Sequence, residues 1–214
     1  MVFKDKLPVD AGATDAMDSA RLAGLMATFD FPGFDKSLLL RYLVEKNGQL
    51  MAVRHPGEEP SNNPFNFTRD QLMCLAAGLH KAGYLNECKG LLEAAKTRGN
   101  RAQNTEYDMP GTKKDFPNGP DWLTPSHMNH LRLCAGEKPT LLGKIWLNVD
   151  ILYSATIGSD KEPNQLMCMC EIAGKMEMLK RFHKKLEDAI VNYWDNWRLE
   201  GDLAAFLISK IYKK

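Results

Sequence analysis

The sequence predicts an all-α fold of about eight helices, arranged as antiparallel hairpins in a bundle or a partial (α/α) toroid. Three observations carry this. Apolar residues recur at helical rather than alternating spacing along most of the chain. Helix-start signals stand at Thr68 and Thr124. Glycines follow several of the periodic segments closely, as tight turns between paired helices require.

The first segment, residues 1–15, is expected to be a flexible lead-in, and residues 16–214 a single domain. From Ala16 to Phe29 the apolar positions Leu22, Leu25, Met26 and Phe29 mark a first helix, and Pro32-Gly33 breaks the chain after it. A second helix is expected from Lys36 to Lys46, stopping at Asn47-Gly48. Gln49 to His55 reads as a short strand or an extended tail, and the stretch after it as a plain loop. Thr68-Arg69-Asp70-Gln71 is a capping box: the threonine hydroxyl accepts one free N–H while Gln71 reaches back to another. Asp70 in the first turn suits the helix dipole. Gly83 closes this helix, and Tyr84 to Thr97 returns antiparallel to it, ended by Gly99.

After a long connector, Thr124-Pro125 opens a helix that ends at Gly136. Thr140 caps the next, residues 141–157. It is apolar on nearly every side and is therefore expected at the centre of the fold. A last helical region runs from about Asn164 to Leu199, with a break expected at Gly174, and a short helix spans Leu203 to Tyr212. No fixed-period repeat is present.

Composition limits the function classes. The chain has 214 residues, with 28 basic and 27 acidic side chains, so no global field favours nucleic acid. Lys175, Lys180, Arg181, Lys184 and Lys185 cluster, and are read as a solvated helix face. No apolar run is long enough for a membrane span, and the N-terminal residues have neither a secretory nor a transit pattern. Five cysteines without such a signal point to reduced thiols and a cytoplasmic setting. No phosphate-binding glycine loop, dinucleotide fingerprint or nucleophile elbow occurs.

Candidate sites follow from residue chemistry. The connector 101–125 holds Asn104, Tyr107, Lys113, Lys114, Asn118 and Trp122, which suit contacts to a partner's backbone or to a sugar. A structural loop with Trp122 plugged into the core is the plain alternative. Asp108 and Asp121 in the connector, with Asp150 in the apolar helix, are the acid–base candidates if the protein is an enzyme. Asp150 needs a partner, expected to be an arginine, a lysine or a backbone N–H, and burial should raise its pKa. His127, His130 and Cys134 share a helix face and form a metal-ligand candidate, with Asp121 near in sequence. No second Cys/His pair supports it, and His127 is placed to cap its helix instead. Cys168 and Cys170 point to different faces and read as buried thiols. Tyr193, Trp194 and Trp197 read as core or interface aromatics. No cofactor is called for.

The segments NFTRDQLMCLAAGLHKAG and RAQNTEYDMPGTKKDFPNGPDWLTPSHMNHLRLCAG resemble those of small all-helical proteins of unassigned function encoded by tailed bacteriophages. The resemblance covers about residues 66–157. It implies phage origin, an accessory or virion-associated role, and a place in the host cytoplasm or the virion. The expected function is macromolecular binding through the 101–125 connector, to a protein partner or to a second copy of the chain. The alternative is a glycan-active hydrolase or lyase of the (α/α)-toroid type.

Overall fold

A computed structural model describes residues 2–9, 19–46, 48–57, 67–102, 122–157, 163–182, 186, 190 and 201–212. Helices dominate. They are α1 (Ser19–Thr28), α2 (Arg69–Lys81), α3 (Leu85–Thr97), α4 (Pro125–Cys134), α5 (Leu141–Ile157), α6 (Pro163–Ile172), α7 (Met176–Phe182) and α8 (Gly201–Tyr212). A 3-10 helix covers Lys36–Tyr42. Two small antiparallel hairpins complete the described elements: β1 (Val2–Lys4) with β2 (Leu7–Val9), and β3 (Leu43–Lys46) with β4 (Gln49–Ala52).

Two departures from the sequence reading lie at the N-terminal end. Within residues 1–15, expected to be a flexible lead-in, Val2 pairs with Val9 and Lys4 with Leu7. Asp5 and Lys6 make the turn with positive φ (52° and 69°), the geometry that matches strand twist. Leu7 is fully buried against α1, which ties this hairpin to the core. The helix expected over 36–46 ends at Tyr42 and continues as a strand. The register Lys46↔Gln49 leaves two positions between β3 and β4, where the sequence has Asn-Gly. That dipeptide is a strong two-residue hairpin signal as well as a helix stop.

The helix ends behave as the glycines predict. Gly83, Gly99, Gly136 and Gly174 all have positive φ. After each, two backbone bonds close the last turn, as in Gly83 N–H to the His80 carbonyl and Tyr84 N–H to that of Leu79. This is the Schellman pattern, which satisfies carbonyls left over at a helix C-terminus. At the start of α2 the capping box is formed, with the Thr68 N–H donating to Gln71 Oε1 at 3.2 Å.

All ten residues of α1 are buried, and its packing on α2 is the most extensive between any two described elements. Small residues make this approach possible. A Cβ on Gly24 would stand 2.3 Å from the backbone carbonyl of Cys74, and one on Gly78 would meet the backbone of Gly24 at 3.0 Å. Against α2 lie α3, α4 and α6. Arg21 of α1, only 2% exposed, lies 4.0 Å from the Asp70 carboxylate. The Tyr42 hydroxyl bonds Ser19 at 2.6 Å. On α8, Leu203, Leu207 and Ile211 face the core, and Phe206 packs edge-on against Phe31 at 5.1 Å.

Among the described residues no helix is long and apolar enough to cross a membrane.

Candidate functional site

The connector is pinched shut at its base. Arg101 and Trp122 form an isolated antiparallel bridge, and the Leu123 N–H donates to the Asn100 carbonyl at 2.9 Å. Ala102 and Leu123 are buried as anchors on either side. The Arg101 guanidinium lies 4.1 Å from the Trp122 ring centroid, within cation–π range. Trp122 is 53% exposed, so the alternative that plugs it into the core does not hold. Asn104, Tyr107, Asp108, Lys113, Lys114, Asn118 and Asp121 lie outside the described residues, as do Tyr193, Trp194 and Trp197. Beside the connector base, an open pocket of about 330 Å³ is lined by Lys96, Asn100, Met128, Asn129 and Arg132 among others. Its two cations are both held by Glu137, at 3.9 and 2.8 Å.

A chain of polar side chains staples the start of α4 to α5 and α6. His127 Nδ1 accepts from the Thr124 N–H at 3.0 Å, closing a capping box in which histidine takes the place of the usual Glu or Gln. With Nδ1 accepting, the ring proton sits on Nε2, and the Gln165 amide must turn its oxygen to that proton. The Thr124 hydroxyl contacts Ser126 Oγ at 2.8 Å, and Ser126 donates to Asp150 Oδ2 at 2.5 Å. Burial lowers the His127 pKa to about 3, with the nearby Arg69 charge acting in the same sense. Burial also raises that of Asp150, against the Ser126 hydrogen bond and the Arg69 charge. The partner that Asp150 required is therefore a serine hydroxyl, with an arginine only adding charge. Ser126 reaches His127 through Thr124 alone, so the three do not form a nucleophile–base–acid relay.

The geometry lends the metal reading no support. His127 uses both ring nitrogens within the staple. His130 points elsewhere, with Nε2 bonded to the Met73 carbonyl at 2.9 Å and its pKa lowered to about 4 by burial. Cys134 is fully buried, 3.5 Å from that same nitrogen, and burial raises its thiol pKa. A nitrogen that donates to a carbonyl has no lone pair for an ion. Among the described residues no group of three or more His, Cys, Asp or Glu is disposed to hold a metal. All five cysteines are buried and free. Burial pushes the Cys88 thiol up to about 12 and that of Cys170 higher than an exposed thiol, so these are packing residues, as the spacing of Cys168 and Cys170 implies.

The feature that sequence reasoning misplaced is α5. Expected at the centre, it lies at the surface with only one side seated. Gly143, Leu147 and Ile151 are buried, and a Cβ on Gly143 would collide with Asn129 of α4 at 2.3 Å. The helix start is fixed by Asn129, whose Oδ1 accepts from the Thr140 N–H at 2.8 Å, and by Thr140 Oγ1, which accepts from Gly143 N–H at 3.1 Å. The other side is open. Leu141, Leu142, Ile145, Trp146, Val149, Leu152 and Tyr153 are between 40% (Trp146) and 75% (Leu141) exposed. At 100° per residue they fill one arc about 140° wide. Lys144 and Asp150 fall outside it, so the arc carries no charge. The missed signal was side-chain size: the glycine marks the seated side and the two aromatics the open one. An apolar face this large, free of charge, is the mark of an interaction surface.

Comparison with protein-family models, with curated proteins and with solved structures finds no match to this chain.

Proposed function

We propose that this protein works by binding another protein chain through the apolar face of α5, as a non-catalytic accessory component. The observation that carries this reading is the uncharged arc of seven exposed apolar side chains on one helix. Charged residues are depleted and aromatic residues enriched in the buried parts of protein interfaces, and Trp146 and Tyr153 stand side by side along one edge of this arc. The connector 101–125 is a second contact surface in the same reading, supported by the exposed Trp122 at its base. The resemblance to phage-encoded helical proteins implies the same kind of role. The glycan-active alternative rests on Asp108, Asp121 and Asp150; the first two lie outside the described residues, and the third is bonded to Ser126 within the staple.

The test is the reactivity of a thiol introduced by Ile145→Cys. The five native cysteines are buried, so background labelling by a maleimide is low. In a native extract of the producing cell the introduced thiol is expected to react much more slowly than one introduced by Leu85→Cys at an exposed position of α3. Equal rates would mean that nothing covers the face, and the reading would be wrong. Protection that persists in the purified, monomeric protein would assign the cover to this chain's own residues, and would also overturn it.

A further inference from the structure

We infer that the chain covering α5 is a second copy of this protein, with α5 packed antiparallel on α5 around a twofold axis. The inference rests on the reading that this face is the functional surface, and adds the identity of the partner.

Three properties of the face point to a self-complementary contact. Its central residues, Leu142, Ile145, Val149 and Leu152, are spaced three, four and three apart. That is the seam along which two helices interdigitate in left-handed pairs. Its extent also matches. From the exposures of its seven side chains the face presents on the order of 700 Å², against about 800 Å² per partner in a standard interface. A symmetric dimer uses the same patch twice and needs no second surface. Finally, the arc has no charge to complement, so a strongly acidic or basic partner gains nothing from it, whereas an identical apolar surface does.

Antiparallel approach follows from the pattern. With the twofold axis level with Leu147, Leu142 of one copy meets Leu152 of the other, and Ile145 meets Val149. Each pair joins branched aliphatic side chains of similar size across the seam. The arrangement also sets the positive end of one helix dipole beside the negative end of the other. Leu147 points into its own bundle and takes no part.

The experiment is light scattering coupled to size exclusion on the full chain at micromolar concentration. The wild type is expected at twice the 24.1 kDa of one chain, and Val149→Asp at one. Ile145→Asp is the second variant, and circular dichroism confirms that both stay helical, since both positions are about half exposed. Leu85→Asp, at a comparably exposed apolar position on another helix, is expected to remain dimeric. Mixing Leu142→Cys with Leu152→Cys chains under oxidation is expected to give a mixed disulfide dimer. Cross-links formed by each variant only with itself would overturn the antiparallel pairing. A wild-type monomer, or a dimer that survives both aspartates, would overturn the inference. A monomer whose Ile145→Cys thiol is protected in extract but open when purified leaves the binding reading standing with a different partner. A monomer whose thiol is open in both removes the two together.

Discussion

Helices α1 and α5 invert what their compositions suggest. α5 is the more apolar, with Trp, Tyr and a run of leucine, isoleucine and valine, yet much of its circumference faces outward. α1 holds an arginine, a serine, a threonine, three alanines and a glycine, yet every residue in it is buried. The difference lies in how closely neighbours approach. Gly24 and Gly78 bring the backbones of α1 and α2 together, and backbone proximity lets other elements close over the remaining sides. The bulky residues of α5 permit no such approach on their side; only the edge with Gly143 docks. Burial here is decided by shape first, and hydrophobicity then determines what an unburied face is good for.

The contrast breaks most readily at Gly24. Gly24→Val puts atoms into the Cys74 backbone, which cannot yield as a side-chain tip would. A loss on the order of 4 kcal/mol, or failure to fold, is expected from such overpacking. A near-neutral result in urea denaturation would mean that α1 is not held at the centre in this way.

Acid is the next largest perturbation, acting on the seat of α4. His127 and His130 are neutral in the fold, held down to about 3 and about 4 by burial. Unfolded histidines titrate near 6.5, so the unfolded chain binds protons first. Stability present above pH 6.5 is therefore lost as the pH falls through that value towards 4. Two such rings imply on the order of 3–4 kcal/mol lost between pH 7 and pH 5. Asp150, with its raised pKa, acts in the opposite sense as the pH falls further, because there the fold binds the proton first. A denaturation midpoint that does not move between pH 7 and pH 5 would mean that the rings are in water.

A matched pair of leucines sharpens the comparison at its small end. Leu25→Ala on α1, where the side chain is fully buried, should cost about 3 kcal/mol. Leu152→Ala on α5, measured in a Val149→Asp background to keep the chain monomeric, should cost no more than about 0.5 kcal/mol. Equal losses would erase the distinction between a seated and an open helix.

Much of the frame was legible before any coordinates, because its signals are local. Thr68 with Gln71, Thr124 with Pro125, and the glycines at 83, 99, 136 and 174 act within a few residues of themselves. Asp150 showed that it needed a partner, but the partner, Ser126, is 24 positions away and chosen by helix packing. Asn47-Gly48 was visible but ambiguous, since the same dipeptide ends helices and joins strands. On α5 the apolar pattern was saturated, and periodicity cannot say which side of a uniformly apolar cylinder is seated. The connector's closed base also escaped, because a single backbone bridge between Arg101 and Trp122 has no compositional trace.

That bridge has a practical corollary. The strand-like contact of Arg101 with Trp122, backed by Ala102 and Leu123, fixes where the chain leaves and re-enters the body regardless of what is spliced between. Once two ends are pinned, doubling the length of the intervening segment costs only about 0.6 kcal/mol in chain entropy. Position 102 to position 122 is thus a natural socket for grafting foreign peptides.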